Sequence, residues 1–293
     1  MLNPQGAVKS FNFEDFLNRF PTDDACLEEI KKKRFPHGIH CKKCRKKRKF
    51  YKVKGRKAYG CRICRWQSYP LKGTIFERSS TSLRKWFYAM YLMSQTRAGV
   101  PAKQLQRQLG VTYKCAWRMG HKIRELMHER PKNLLGGIVE IDETYWGGSE
   151  WENRRKYGFA SSQKEPIMGI VQRRGPAYLF HLKYGVGARS LIEPIQEHIS
   201  QKAFVMTDQL AGYKQLIKKG YRHYSVKHQK EFKRGAIYTQ NVENVWSHLK
   251  RGIHGSYRSV SRTHLQKYAD EYAFRYSHRK CNGKMFEELF KRI

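Results

Sequence analysis

Residues 136–148 read GGIVEIDETYWGG, and the reading of this stretch decides the fold. Extended backbone turns successive side chains to opposite faces. Ile138, Glu140 and Asp142 then share one face, and Val139 and Ile141 the other. Glycine pairs bound the run on both sides, as expected of a strand between turns. Two carboxylates on a face shared with isoleucine are unusual. A buried carboxylate costs free energy unless it is paired or holds a cation. Taken singly, an aspartate such as Asp142 is more often a turn or cap residue than a ligand.

The pattern after this strand continues in the same style. Residues 166–186, PIMGIVQRRGPAYLFHLKYGV, give two strands joined by a Gly-Pro turn. SLIEPIQEHIS, 190–200, predicts a helix with Pro194 near its first turn, where proline is tolerated. KAFVMTD, 202–208, is a short apolar strand ending in Asp208, AGYKQLIKKG a helix, and HYSVKH another strand. TQNVENVWSHLKRG, 239–252, is a helix, with more helix from about 261 to 276. Three strands, then helix, strand, helix, strand, helix, predict an α/β domain with a mixed sheet covered by helices.

Upstream the character differs. PKNLLGG, 131–137, reads as a linker. Residues 79–130 are helical. SSTSLRKWFYAMYLMSQ opens with capping residues, and PAKQLQRQLGVTYKCAWRMGHKIRELM reads as a short helix, a Gly-Val turn and a longer helix from Thr112. Leu105, Leu109, Val111, Ala116 and Met119 or Ile123 form a small core in that reading, with Gly110 in the turn and Thr112 as the cap. It is either a helix-turn-helix or a plain helical pair. In the first case Tyr113, Lys114, Arg118 and Lys122 face DNA, and the second helix enters the major groove. Residues 1–78 open with two short helices, FNFEDFLNRF and DDACLEEIKKKR. The second runs from acids to bases, as the helix dipole favours. The expected segments are therefore 1–78, 79–130 and 131–293.

The chain has 293 residues, 60 Lys and Arg against 24 Asp and Glu, and a formal charge of +36. With 40% hydrophobic residues it can form cores, so it is not a basic disordered tail. Such a charge points to a polyanion, most simply nucleic acid. No apolar run is long enough to span a membrane, and the start lacks a signal-peptide pattern. A cytoplasmic, nucleoid-associated protein with no membrane partner is the expectation.

Seven cysteines include two pairs, Cys41-Cys44 and Cys61-Cys64, with sixteen residues between the pairs. That doubled spacing matches a four-thiolate structural Zn²⁺ site. The metal would supply stability that so small a core lacks. His37 and His40 lie nearby as substitute ligands, and Cys26, Cys115 and Cys281 read as lone structural thiols. Residues 31–57 carry 15 Lys and Arg, Lys46 and Arg48 among them. That density reads as a face laid along phosphates, against a merely solvated charge run. Such contacts position a protein on DNA without specifying sequence.

Three acids then stand out in order: Asp142 on the first strand, Asp208 on the fourth, and Glu243 in the first turn of the later helix. Glu243 follows Asp208 by 35 positions, and Lys250 follows Glu243 by seven, two turns along one helix face. In that helix Val242, Val245, Trp246 and Leu249 form one apolar stripe. Glu243 and Lys250 share one edge of it. Asn241 lies on the other edge and reads as a cap, and Trp246 as core. An acid in a first turn is also favoured by the helix dipole alone. Glu140 shares the face of Asp142 as a supporting residue, and Glu143 points to the opposite face as a secondary one. His228 in VKHQKEF touches phosphate or metal, or is a surface histidine.

The ordered set resembles the DDE transposases, and more closely the zinc-ribbon transposases of bacterial insertion sequences related to the eukaryotic Merlin group. CKKC…CRIC, VEIDETYWGG, TDQLAGY, HQKEF and NVENVWSHLKRGIHGSY…HLQKYADEYAFRY carry the resemblance, over most of residues 35–280. It implies a ribonuclease H-like catalytic domain, with Asp142, Asp208 and Glu243 as catalytic ligands of Mg²⁺ or Mn²⁺ and Lys250 at a phosphate. Two hard divalent ions about 4 Å apart suit in-line displacement at phosphorus. It further implies binding to double-stranded DNA at terminal inverted repeats, cleavage, strand transfer into target DNA, and a homodimer or higher oligomer. A metal-dependent nuclease without strand transfer needs the same acids. A non-enzymatic zinc-ribbon DNA-binding regulator explains the charge and the cysteines but not the acids.

Overall fold

The computed structural model describes residues 11–147, 164–226, 237–281 and 284–293. They group into two compact units. The first holds the described residues up to Thr96, Val100–Leu126 and the described residues from Cys281 on; the second holds Arg97–Gly99 and Met127–Lys280. The sequence pattern groups the final residues into one block from 131 to 293. Instead the C-terminal helix packs in the first unit, for a physical reason. Its Phe286 and Phe290 complete an aromatic cluster with Phe16, Phe20 and Phe87.

The first unit begins with α1 (Phe13–Arg19) and α2 (Asp23–Arg34). Five short strands follow: β1 (His40–Cys41), β2 (Lys46–Lys47), β3 (Phe50–Lys52), β4 (Tyr59–Cys61) and β5 (Gln67–Ser68). They form a two-stranded and a three-stranded antiparallel sheet. Three helices come next: α3 (Leu83–Gln95), α4 (Ala102–Leu109) and α5 (Tyr113–Met127). The expected capping of α3 by its own leading residues does not occur. Ser82 makes no side-chain cap bond. The Asp23 carboxylate of α2 instead accepts from the Leu83 and Arg84 amides and from the Ser82 hydroxyl. The turn between α4 and α5 is as read. Gly110 is left-handed (φ 58°) at the α4 C-cap, and Thr112 Oγ1 accepts from the Cys115 amide. Leu105, Leu109, Ala116, Met119 and Ile123 are buried.

The second unit is built on β6 (Ile138–Trp146), β7 (Glu165–Gln172), β8 (Ala177–His181), α6 (Ala188–His198), β9 (Phe204–Thr207), α7 (Gln215–Lys218), β10 (Arg222–Ser225), α8 (Gln240–Gly252) and α9 (Leu265–Ser277). The last helix of the chain, α10 (Met285–Phe290), is the one that joins the first unit. The sheet order is β10-β9-β6-β7-β8. β6, β7 and β8 form an antiparallel meander, and β9 and β10 add parallel on the other side of β6. This is the mixed, helix-flanked sheet of a ribonuclease H-like core. Val139, Ile141, Met168 and Ile170 pack on α6 residues Leu191, Ile192 and Ile195. Ile167, Val171 and Leu179 pack on Val242, Val245, Trp246 and Leu249 of α8 and on Leu265, Ala269 and Tyr272 of α9.

Two local readings change. Pro194 lies inside α6 and not in its first turn, because the helix already starts at Ala188. The linker read over 131–137 is partly docked: Leu135 is buried in the sheet core and bonds with His198 and Ser200.

Candidate functional site

The sheet register builds the acidic site. β6 and β9 pair in parallel from Ile138↔Phe204 to Glu140↔Met206. Two steps further along that register, Asp142 comes level with Asp208, which directly follows β9. Neighbouring strands lie about 4.8 Å apart. The carboxylates of Asp142, Glu143 and Asp208 accordingly offer oxygens within 4.8 Å of one another. Asp208 is held by a short turn in which its Oδ1 accepts from the Leu210 amide at 3.0 Å.

Glu143 belongs to this cluster although its strand position faces away. It is level with Met168 of the opposite core, as alternation requires. Beyond Glu140, however, β6 has no paired β9 residue beside it. At that open sheet end the longer Glu143 side chain reaches the other two acids.

The three acids repel one another. Burial, first, then the charge of Asp208 and less strongly that of Glu243, push the Asp142 carboxyl up to about 6, against the pull of the Trp246 indole N–H. Burial and the charges of Asp208 and Asp142 push Glu143 up to about 8. Glu143 Oε1 is buried and has no hydrogen-bond partner among the described residues. An all-oxygen donor set with an unsatisfied buried oxygen and mutual repulsion fits a hard divalent cation such as Mg²⁺ or Mn²⁺. Glu243 is outside the three-acid cluster, exposed in the first turn of α8, where it accepts from Thr239 Oγ1 at 3.2 Å. Lys250 is exposed two turns along the same helix. His228 falls outside the described residues.

Asn241 does not cap α8. Glu140, fully buried on β6, does so from across the unit. Its Oε2 accepts from the amides of Asn241 (2.8 Å) and Val242 (3.3 Å), and its Oε1 from Asn241 Nδ2 (2.8 Å). Arg173 Nε completes the set at 2.6 Å. A carboxylate at a helix N-terminus is favoured by both the free amides and the dipole. Glu140 thereby ties the first turn of α8 to the strand that carries Asp142. Trp246 is core, as expected, and its Nε1 also donates to Asp142 Oδ2 at 2.9 Å. Periodicity marks the apolar stripe but carries no sign of where an indole N–H will point.

The four cysteines Cys41, Cys44, Cys61 and Cys64 converge separately, with sulfurs within 4.8 Å of one another. Arg45 and Arg65, each just after a CxxC pair, are left-handed (φ 53° and 59°). Such turns aim amides at the sulfurs: the Cys44 amide donates to Cys41 Sγ at 3.4 Å. The amides of Cys64 and Ile63 pull the Cys61 thiol down to about 7. Four thiols in this arrangement form a zinc-ribbon site. His37 and His40 take no part in the cluster. Lys46 and Arg48 are exposed, and Lys47, Arg48, Lys49, Arg62 and Ile63 line a shallow groove of about 450 Å³. On α5, Tyr113, Lys114, Trp117 and Arg118 are exposed, while Lys122 is half-buried and paired with Glu125 at 2.7 Å.

Among the described residues, no helix is long and apolar enough to cross a membrane. Residues 21–67 match a transposase zinc-ribbon domain and residues 134–277 an ISXO2-like transposase domain. The chain is also 26% identical over 261 residues to an uncharacterized protein in transposable element ISH50 of Halobacterium salinarum, covering 83% of this chain and 86% of that one. With a four-cysteine ribbon, an acidic cluster on a ribonuclease H-like sheet and both domains matched in order, the chain belongs to the zinc-ribbon DDE transposases of insertion sequences.

Proposed function

We propose that this transposase binds the terminal inverted repeats of its own element, cuts there, and joins the released 3′-hydroxyl to target DNA. The meeting of Asp142, Glu143 and Asp208 at one sheet end, with Glu243 on the adjoining helix, carries this reading. Asp142, Asp208 and Glu243 are the catalytic carboxylates in it, and Lys250 contacts a phosphate. A divalent cation held there would stabilise charge on the phosphate oxygens. The zinc-ribbon segment (1–78) and the helix-turn-helix segment (79–130) deliver the ends, through Lys46 and Arg48 on the ribbon and Lys114, Arg118 and Lys122 on α5. The second unit, from Met127 to Lys280, does the chemistry. Lys122, paired with Glu125, must exchange that partner for phosphate. The working form is a homodimer or larger on DNA, in the cytoplasm at the nucleoid.

The test uses oligonucleotides carrying the repeats that flank the gene, with Mg²⁺ or Mn²⁺. Asp142→Asn, Asp208→Asn and Glu243→Gln should each abolish cleavage and joining while binding in a gel-shift assay persists. Cleavage or joining by all three variants sinks the assignment. Cleavage without joining in the unaltered protein favours the nuclease reading.

A further inference from the structure

We propose that Trp246 is a positioning residue for the metal site, acting through Asp142, and that Gly169 exists to admit it. The proposal rests on the reading of the three acids as a divalent-cation site. Asp142 and Gly169 are direct neighbours across β6 and β7. Glycine in a strand interior marks a close approach. Here a Cβ on Gly169 would fall 2.7 Å from Trp246 Cζ2, 2.8 Å from its Cη2 and 2.9 Å from Val242 Cγ2. The missing side chain is the space in which the indole lies. In that pose Nε1 donates to Asp142 Oδ2 at 2.9 Å.

The chemistry of this contact is specific. An indole N–H is a donor only, so it suits a carboxylate oxygen. Hydrophobic packing on the sheet would be met by phenylalanine. Engaging Oδ2 restricts the rotation of the carboxylate whose oxygens meet those of Glu143 and Asp208, and so orients it toward a shared cation. Groups that orient metal ligands in this way typically change metal affinity or activity about 10–100-fold when removed.

The experiment measures Mn²⁺ binding to the full chain by calorimetry, and the Mn²⁺ dependence of cleavage, for Trp246→Phe, Gly169→Ala and Val245→Ala. Trp246→Phe keeps the ring and loses the donor. It should weaken Mn²⁺ binding about 10-fold or more, and raise the half-saturating Mn²⁺ for cleavage in step. Gly169→Ala, which displaces an intact indole, should do the same, and the double variant should lose no more than Trp246→Phe alone. Val245→Ala, in the same core as Trp246 but with no donor to offer a carboxylate, should lower the melting temperature but leave Mn²⁺ affinity unchanged. If Trp246→Phe is folded and binds Mn²⁺ within about twofold of the parent, the proposal is overturned. Equal loss in Val245→Ala also overturns it, since packing alone would then explain the effect. Asp142→Asn separates the two readings. If that variant binds Mn²⁺ normally, the metal-site reading itself has failed, whatever Trp246 does.

Discussion

Replacing Glu140 by alanine tests how the helix bearing Glu243 is held. Glu140 is wholly buried and receives four hydrogen bonds, from Arg173 Nε, the Asn241 amide and side chain, and the Val242 amide. Alanine removes the acceptor for all of them. Breaking a buried ion pair from one side costs about 3–5 kcal/mol. Losing a helix N-terminal acceptor costs about 0.5–2 kcal/mol. The two overlap, because one carboxylate does both jobs, so they do not add. Arg173 also keeps its bond to the Tyr238 carbonyl and its stacking on the Tyr238 ring, which moderates the loss. We expect a total of about 3 kcal/mol, near the low end of the pair range. Glu140→Gln retains the shape and one acceptor oxygen, and should cost about 1–3 kcal/mol. Hydrogen exchange of peptides covering α8 reads the effect locally, and urea unfolding of the full chain reads it globally. A local loss of about 3 kcal/mol speeds exchange roughly 100-fold. Exchange in α8 within about threefold of the parent, with an unchanged urea midpoint, would refute the capping argument.

Other tests follow from the same geometry. The raised carboxyls of Asp142 (about 6) and Glu143 (about 8) mean that the metal-free native state holds protons the unfolded chain has lost. Stability in chelator should therefore fall as pH rises from about 4 to 8 at these groups. Glu143→Gln should flatten the fall in melting temperature over that window, and an unchanged slope would count against the shared site. Mn²⁺ binding should strengthen over the same window, since cation and protons compete for the same oxygens. Cys41→Ser, or zinc removal, should release one zinc per chain by metal analysis, loosen exchange in β1–β5 and weaken end binding. Normal end binding after confirmed zinc loss would refute that role for the ribbon.

Local chemistry made much of this protein legible in one dimension. The doubled CxxC spacing, the period-2 run over 138–146, the stripe of Val242, Val245, Trp246 and Leu249, and the Gly110 turn each state their own local structure. An acid at the end of an apolar run, as at Asp208, is conspicuous for its desolvation cost. What the chain order could not state is which distant groups meet. Register between β6 and β9 brings Asp142 level with Asp208, and it stops early enough to let Glu143 join them. Alternation predicts where a Cβ points only while a neighbouring strand constrains the rest of the side chain. Helix periodicity likewise put Asn241 at a start position but not Glu140 above it, 101 residues earlier in the chain. The same holds for α10, whose phenylalanines join the first unit because that is where aromatic surface awaits burial. Hydrogen bonds and apolar contacts are satisfied by whichever partner the completed fold brings within reach, and sequence separation does not enter their energies.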